Sequence, residues 1–155
     1  MTVEIPSQPL AGVIADGVHR LKVRVYYEDT DFTGVVYHAN YLKYFERGRS
    51  DYLRLLGIHH HQWASLDKPL AFAVAGINVR YKAVARIDDI LTVVTRLDRS
   101  RGAQVFLEQV IEREGAVVAE AHLDIVCVDG QGRPKRLPKA LSEVINANAA
   151  KDNAD

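Results

Sequence analysis

The sequence predicts an α+β fold in which an antiparallel sheet of five strands wraps around one long central helix. Two observations lead to this prediction. Apolar residues first alternate with polar ones, as in a half-buried strand, and then recur at three- and four-residue steps, as in an amphipathic helix. Several short apolar segments follow, separated by turn-forming residues, which is typical of consecutive antiparallel strands. A single sheet and a single helix can bury their apolar faces only against each other.

The chain of 155 residues has the usual length of one domain. Residues 1–18 contain prolines and glycines without a sustained apolar period, so we predict a loose N-terminal arm there. Residues 148–155 are polar and are predicted to form a disordered tail. The folded domain is therefore predicted to span residues 19–147.

The first strand is predicted over residues 19–27, where alternate residues from Leu21 onward share one apolar face. In this pattern the ring of Tyr27 belongs to the core, while its hydroxyl group could face a site. The next segment, 28–34, is rich in Asp, Thr and Gly and predicts a turn.

The long helix is predicted between Asn40, a residue type common at N-caps, and Gly57, a residue type common just after helices. Apolar and aromatic residues form one wide face of this helix: Tyr41, Tyr44, Phe45, Tyr52, Leu55 and Leu56. Gly48 interrupts the face in mid-helix, at a cost of about 1 kcal/mol relative to Ala. We therefore expect another element to approach the helix closely at Gly48.

The remainder of the chain is predicted to be strand-rich. After a polar loop at 59–69, strands are predicted over 70–81, 90–97, 105–113 and 117–128. Their short links predict an antiparallel meander. Residues 138–146 are predicted to form a final short helix, with a proline in its first turn.

Composition excludes several classes of protein. Lys plus Arg and Asp plus Glu number 20 each, so no net charge favours nucleic acid or an anionic membrane. No apolar run approaches the roughly 20 residues of a membrane span, and the N-terminus does not resemble a signal peptide. The single cysteine, Cys127, lies in an apolar run and is predicted to be a small core residue in a reducing compartment. A cytoplasmic location is therefore predicted.

Chemically active residue types concentrate just before the helix, where Asp29, Asp31, Gly34 and His38 lie within ten positions. Backbone N–H groups at a helix N-terminus lack internal partners, so a carboxylate there lies beside a ready oxyanion site. Such an arrangement suits attack on a carbonyl. An ionised Asp31 could attack the carbonyl itself or activate a water molecule, and both routes are compatible with the sequence.

The neighbouring residues also have structural interpretations. Asp29 is interpreted as part of the turn, and Asn40 mainly as a helix cap. Gly34 allows either close approach of the backbone to a substrate or a conformation barred to other residues. His38 is either a residue that hydrogen-bonds locally or a donor to the carboxylate or substrate.

Three consecutive histidines, His59 to His61, raise the question of a metal site. Consecutive residues of a regular element cannot all face one ion, and Asp67 is the only carboxylate nearby in sequence. We therefore predict an ordinary solvated loop and no metal ligand.

The segment YYEDTDFTGVVYHANYLKYFERGRSDYLR, at 26–54, resembles the signature of hotdog-fold acyl-CoA thioesterases of the 4-hydroxybenzoyl-CoA thioesterase/YbgC type. The segment RYKAVARIDD, at 80–89, resembles the second recurring block of that family, except that Val84 stands where the family commonly has proline. The resemblance covers about residues 18–145. It implies the hotdog fold and hydrolysis of a short-chain or aryl acyl-CoA to the free acid and CoA, without a metal or cofactor.

The resemblance also implies roles for residues at matching positions. Asp31 is the expected catalytic carboxylate, His38 presents its backbone N–H to the thioester oxygen, and the side chains of Tyr27 and His38 belong to the site. Further substrate-binding residues are expected around the helix start and at basic positions suited to CoA phosphates: Gly34, Val36, Tyr37, Asn40, Arg86 and Arg101.

The resemblance further implies a homodimer, often paired into a homotetramer, with sites at the subunit interface. An uncovered edge strand gives an independent reason for assembly. The thioester is expected on CoA or on an acyl-carrier protein, and the YbgC-type branch is associated with the Tol-Pal envelope system. Two alternatives are a hotdog hydratase or dehydratase, disfavoured because its catalytic groups lie in a different motif, and a non-catalytic binding module, disfavoured by the retained Asp31.

Overall fold

The computed structural model describes residues 9–153 of the chain. A short 3₁₀ turn, Tyr27–Asp29, lies in the segment that joins the second strand to the first helix. The other elements, in chain order, are β1 Val13–Ala15, β2 Val18–Arg24, α1 Asn40–Leu55, α2 His60–Ala64, β3 Ala71–Tyr81, β4 Ile90–Arg101, β5 Gln104–Arg113, β6 Ala116–Val128 and α3 Lys139–Asn153.

The strands form one antiparallel sheet in the order β1-β2-β4-β5-β6-β3. The α+β class is confirmed, but the sheet has six strands rather than the predicted five, because β1 lies within the predicted arm 1–18. Asp16 and Gly17 join β1 to β2 with φ angles of 52° and 80°. Positive φ at both positions is typical of the two-residue hairpin turn that Asp-Gly favours. Residues 1–8 lie outside the described residues.

The position of β3 corrects the predicted meander. The last three strands do follow one another in the sheet, but β3 pairs with β6, not with β4. The link from Lys82 to Asp89 runs along the end of the sheet, and Lys82 N–H donates to the Val118 carbonyl at 2.8 Å. Among the described strands, β3 and β1 are therefore the two edges of the sheet.

Helix α1 packs its aromatic face against the sheet, as predicted. Its fully or nearly fully buried apolar side chains are Tyr41, Tyr44, Phe45, Tyr52 and Leu53. A Cβ atom at Gly48 would lie 2.6 Å from Val93 Cγ1, which confirms the expected close approach. Gly57 follows the helix with a φ of 96°, as expected, whereas Leu55 is 45% exposed and does not belong to the buried face.

The C-terminal segment corrects both the predicted short helix and the predicted tail. Helix α3 continues to Asn153, well beyond residue 147. Ile145 and Ala149 are buried, and the Asp152 carboxylate lies 3.6 Å from the Arg96 guanidinium on β4. Polar composition alone indicated disorder, but the sheet supplies the surface that stabilises this helix.

Helix α2 and the single cysteine complete the description of the core. The predicted loop at 59–69 contains the short helix α2, whose Trp63 ring lies 5.4 Å from the ring of Phe72. Cys127 is fully buried, as predicted, and burial raises the pKa of its thiol. A search of the described residues finds no helix with the length and apolar character of a membrane span.

Candidate active site

The loop between β2 and α1 is held by backbone hydrogen bonds to its surroundings. Val36 N–H donates to the Ala85 carbonyl at 2.8 Å, and Asp31 N–H donates to the Val35 carbonyl at 2.9 Å. Tyr37 N–H donates to the carbonyl of Asp29 at 2.9 Å. The loop therefore has a conformation that is defined by the protein chain itself.

Asp29 connects this loop to the helix. Its carboxylate is buried and accepts hydrogen bonds from the Tyr26 backbone N–H at 2.8 Å and from Asn40 Nδ2 at 2.6 Å. Asn40 is therefore not the helix cap: it is the first helical residue, and Ala39 occupies the N-cap position without a side-chain hydrogen bond. The pair has a structural function, which agrees with the interpretation of Asp29 and corrects that of Asn40.

Asp31 is arranged differently from Asp29. It is partly exposed, and its Oδ1 atom accepts hydrogen bonds from the side chain of Thr33 at 2.6 Å and from the Thr33 backbone N–H at 2.8 Å. These bonds lower the pKa of Asp31, the side-chain bond most strongly, so the group is ionised at neutral pH. Within residues 9–153 no hydrogen bond reaches its second oxygen, Oδ2, which leaves that oxygen available for chemistry.

Gly34 shapes the turn that follows Asp31. Its φ is 84°, in the left-handed region, and its N–H donates to the Asp31 carbonyl at 3.0 Å. A Cβ atom at this position would meet no other atom within 4 Å. Two reasons for this glycine were expected, close approach to a substrate or a backbone conformation barred to other residues. Within a single chain, the backbone conformation is the reason that applies.

The free N–H groups at the helix start are fewer than the sequence indicates. Val36, Tyr37 and Asn40 all donate their backbone N–H to carbonyl groups of the protein. In the part of the chain that the structure describes, His38 and Ala39 are the residues of this stretch whose N–H groups have no such partner. Val36 is also buried, so its side chain belongs to the core.

Aromatic side chains surround His38. The Tyr37 ring lies 4.6 Å from the imidazole of His38, edge to face, and the Tyr81 ring lies 6.4 Å from it. The Tyr81 hydroxyl donates to the His38 carbonyl at 2.9 Å, and its ring also contacts that of Tyr41 at 5.5 Å. Sequence reasoning missed Tyr81, although it lies in the RYKAVARIDD segment.

Tyr27 differs from its predicted position. Strand β2 ends at Arg24, and the Tyr27 side chain is 86% exposed instead of lying on the apolar face. Its carbonyl accepts hydrogen bonds from the backbone N–H and hydroxyl of Thr30. The predicted core position of the ring is wrong because the chain turns into the 3₁₀ segment after Val25, which ends the strand alternation.

The two basic candidates lie in different places. Arg86 is exposed and its backbone pairs with that of Val35 in an isolated antiparallel bridge, which brings it beside the loop. Arg113 stabilises this turn by donating to the Val84 carbonyl at 2.6 Å and to the Asp89 carboxylate at 3.1 Å. In contrast, Arg101 lies at the opposite end of β4 from Ile90, about 36 Å away at ~3.3 Å per residue. Within one chain Arg101 does not join the group.

The arrangement thus combines an ionised carboxylate with a free oxygen, two free backbone N–H groups at a helix start, and an adjacent arginine. A family model described as the thioesterase-like superfamily matches residues 25–145, which include all of these groups. The chain belongs to the thioesterase-like superfamily.

Individual relatives agree with this assignment. The thioesterase is 43% identical over 126 residues to the acyl-CoA thioester hydrolase YbgC of Escherichia coli, an alignment that covers 79% of this chain and 91% of the relative. A probable thioesterase from Bartonella henselae has 41% identity and a TM-score of 0.76, with 78% of this chain and 99% of that chain covered. A Thermus thermophilus thioesterase solved with coenzyme A and zinc has 26% identity and a TM-score of 0.73, with 86% and 95% covered. The thioesterase is therefore a hotdog-fold thioester hydrolase of the YbgC type.

The histidine run belongs to a different element from the loop of Asp31. His60 and His61 belong to helix α2, far along the chain from the loop of Asp31. A search of residues 9–153 finds no group of three or more His, Cys, Asp or Glu side chains arranged to hold a metal ion.

Proposed function

We propose that this thioesterase hydrolyses acyl-CoA, with Asp31 as the reacting carboxylate and the His38 backbone N–H as the oxyanion donor. One observation carries the proposal. Among residues 9–153, Asp31 Oδ2 and the N–H groups of His38 and Ala39 lack partners, while the N–H groups of Val36, Tyr37 and Asn40 are engaged. Thioester hydrolysis requires these two kinds of group, a basic oxygen and a donor for developing negative charge. The activity named for the YbgC relative is in accord with this proposal.

Two routes lead from the thioester and one water molecule to a carboxylic acid and CoA. In the first, Asp31 Oδ2 attacks the carbonyl carbon, the C–S bond breaks, and CoA leaves as a thiolate that takes up a proton; water then hydrolyses the mixed anhydride. In the second, Asp31 accepts a proton from a water molecule whose oxygen attacks the carbonyl carbon, and the tetrahedral intermediate expels the thiol. In both routes the His38 N–H stabilises the negative oxygen.

An isotope experiment can identify the anhydride route. The enzyme is mixed in excess with acyl-CoA in water enriched in heavy oxygen, and the peptide that contains Asp31 is analysed by mass spectrometry. Heavy oxygen in Asp31 requires the anhydride route, since only hydrolysis of an aspartyl anhydride exchanges a carboxylate oxygen. The water route leaves Asp31 unlabelled and places the heavy oxygen in the acid product. The anhydride route gives the same pattern when water attacks the acyl carbon, so heavy oxygen in Asp31 is the diagnostic result.

The main test of the proposed function is thiol release from a panel of acyl-CoAs. We expect turnover by the wild type and a fall in kcat of about a hundredfold to ten-thousandfold for Asp31→Asn, since proton transfer or nucleophilic attack is lost. Asp98→Asn, a change in an exposed residue on β4, is the matched control and should retain full activity. Absence of wild-type turnover across the panel would contradict the proposed activity, and full activity of Asp31→Asn would contradict the role of Asp31.

We propose further that Arg86 contributes to binding the CoA phosphates, because an exposed guanidinium beside the loop can donate two hydrogen bonds to a phosphate. Tyr27, Tyr37 and Gly34 are proposed to line the same site. Arg101 can contribute only where a site is formed across a subunit interface. An acyl-carrier protein is an alternative carrier of the thioester, and kcat/KM for matched acyl-CoA and acyl-carrier substrates distinguishes the two.

We also propose a homodimer with its sites at the subunit interface. Strand β3 is a sheet edge whose Val74, Ile77 and Tyr81 are each at least 40% exposed, an arrangement that a second copy can cover. Phe32, beside Asp31, is fully exposed in the single chain, and burial by a partner would account for an apolar ring at this position. Sedimentation analysis measures the state, including any pairing of dimers into a tetramer.

The cellular setting is a separate proposal. We propose a cytoplasmic location because the single Cys127 forms no disulfide. The association with the Tol-Pal system rests on likeness to YbgC-type proteins alone. Fractionation of cells and co-purification with tagged Tol-Pal components test both statements.

A further inference from the structure

A second concave region lies along the distal half of α1, away from the loop of Asp31. It is a cleft of about 300 Å³ between α1, α2 and the strands β3 and β6. Its apolar walls are Leu53, Phe72, Val74 and Ile125. Its polar lining consists of Glu46, Arg49, Ser50, Arg54 and His60. None of these residues belongs to the loop of Asp31, and Val74 also lies on the exposed β3 edge that the proposed homodimer covers.

Two polar atoms of this cleft are buried without a partner. Arg49 Nη1 and His60 Nε2 are both inaccessible to solvent and make no hydrogen bond within residues 9–153. Burial lowers the pKa of both groups. A buried polar group without a partner costs about 1–3 kcal/mol, and more when the group is charged, so the presence of two such groups in one cleft requires an explanation.

The neighbouring charged groups do not act as partners for Arg49 or His60. Glu46 accepts a hydrogen bond from the Ser50 hydroxyl at 2.7 Å and makes no ion pair with Arg49. Arg54, which also lines the cleft, pairs with Asp51. Arg49 therefore lines a partly apolar cleft with one buried donor, Nη1, that has no partner.

We propose that this cleft is a carboxylate-binding subsite of the thioesterase, in which Arg49 and His60 hold the carboxylate and the apolar walls hold the adjoining carbon chain. A carboxylate matches the planar fork of a guanidinium and forms charge-assisted hydrogen bonds with it. The inference rests on the proposed acyl-CoA hydrolysis and deepens it, since a carboxylate here selects a class of acyl group.

The position of the cleft on the helix limits the length of the ligand. Arg49 lies nine residues beyond Asn40, which is about 14 Å along the helix axis at ~1.5 Å per residue. Helical side chains point toward the N-terminus, so the guanidinium group lies nearer to the active-site loop than its Cα does. The carboxylate is therefore either the far end of a dicarboxylic acyl group of medium length or that of a free acid bound separately.

Matched substrates test whether the carboxylate belongs to the acyl group of the substrate. We compare kcat/KM for adipoyl-, suberoyl- and sebacoyl-CoA with that for hexanoyl-, octanoyl- and decanoyl-CoA. We expect at least one dicarboxylic substrate to be preferred over its simple counterpart by the wild type. Arg49→Met should remove about tenfold or more of that preference, the equivalent of one charge-assisted hydrogen bond, and leave the simple substrates nearly unchanged. Arg47→Met, on an exposed arginine of the same helix that lies over the Tyr44 ring, is the control and should behave as the wild type.

A binding measurement tests, without relying on activity, whether the cleft binds a free acid. Suberate and octanoate are titrated into the protein while the imidazole resonances of His60 are followed by NMR. Saturable shifts that disappear in Arg49→Met, without a kinetic preference, support the subsite and identify a free acid as its ligand. His60→Gln lies on the separate helix α2 and provides a second variant if Arg49→Met does not fold.

The combined results distinguish failure of the subsite from failure of the proposed activity. Equal kcat/KM for dicarboxylic and simple acyl-CoAs, together with no Arg49-dependent shift, overturns the subsite and leaves the thioesterase activity intact. Absence of turnover with every acyl-CoA, combined with Arg49-dependent suberate binding, overturns the proposed activity and leaves the subsite intact.

Discussion

The hydroxyl group of Tyr81 donates a 2.9 Å hydrogen bond to the backbone carbonyl of His38, across 43 positions of sequence. This bond ties the last residue of β3 to the residue whose N–H is proposed to hold the thioester oxygen. Because the two residues come from different parts of the fold, the orientation of the oxyanion donor depends on the placement of β3 as well as on the helix.

Removal of this hydrogen bond should affect catalysis more than folding. We expect Tyr81→Phe to lower kcat by about two- to tenfold, the equivalent of a net hydrogen bond of roughly 0.5–1.5 kcal/mol, with KM nearly unchanged. Steady-state kinetics with one acyl-CoA measure both constants. Tyr26→Phe, on a 57% exposed tyrosine of the same loop, is the matched control. A rise in KM at constant kcat would instead indicate that Tyr81 contacts the ground-state substrate.

The two aspartates of the loop should separate cleanly by their effects. Asp29→Asn should reduce the free energy of unfolding by about 1–3 kcal/mol, because the new amide cannot accept from both the Tyr26 N–H and Asn40 Nδ2. Asp31→Asn should leave stability nearly unchanged and lower kcat by about a hundredfold or more. Urea unfolding and thiol release on both variants give the comparison. Equal destabilisation by the two changes is the result that would contradict these assignments.

The pH dependence of activity should report the bonds from Thr33. They lower the pKa of Asp31, so the carboxylate stays ionised, and activity persists, below the ordinary aspartate pKa of about 3.9. Thr33→Val removes the side-chain hydrogen bond, raises this pKa and should move the acid limb of kcat/KM to higher pH. Thr33→Ser keeps the hydroxyl and should restore the wild-type profile. The profile is measured where circular dichroism shows a folded protein, and identical limbs for all three proteins are the contrary outcome.

Stability should decrease in mild acid because of His19. Its ring is fully buried against Tyr52, and Nε2 lies 2.7 Å from the Ala11 carbonyl. Burial lowers the pKa of His19, while the bond to the Ala11 carbonyl and then the nearby Asp51 oppose the shift. Since the unfolded chain binds a proton near pH ~6.5 and the folded one at lower pH, this contribution to stability is present above that value and is lost as the pH falls. One proton limits the slope to about 1.4 kcal/mol per pH unit.

Urea unfolding of wild type and His19→Gln at a series of pH values tests this assignment. The difference in unfolding free energy between the two proteins should shrink as the pH falls below ~6.5, since only the wild type takes up the proton. A difference that is independent of pH would show that His19 does not cause the loss of stability in acid.

The close approach at Gly48 gives a prediction about packing. Ala favours helices by about 1 kcal/mol over Gly, but a methyl group 2.6 Å from Val93 Cγ1 must displace the sheet or the helix, at a cost of about 1–3 kcal/mol. Gly48→Ala should therefore destabilise the protein. In a double-mutant cycle, Val93→Ala should cancel part of that loss, and additive effects of the two changes would exclude the clash.

Local pattern was sufficient for most of the elements. The three- and four-residue spacing of aromatic residues identified α1, and the alternation of Val, Ile and Leu identified the long strands, because each element buries one face. The Asp16-Gly17 pair was a usable signal for the missed hairpin of β1, since both residues suit its positive φ angles. No comparable local signal indicated that α3 would continue to Asn153, because its polar residues are held by the sheet.

The candidate site divides in the same way. The sequence by itself determined that an acid, a glycine and a histidine precede a helix, and Asp31 and His38 stay the predicted catalytic pair. Only the tertiary structure decided which groups are free: it engages the N–H groups of Val36 and Tyr37, joins Asn40 to Asp29 and brings Tyr81 to His38. Spacing along the chain specifies which residues are neighbours in an element, whereas hydrogen bonding between elements depends on a sheet order in which β3 lies beside β6.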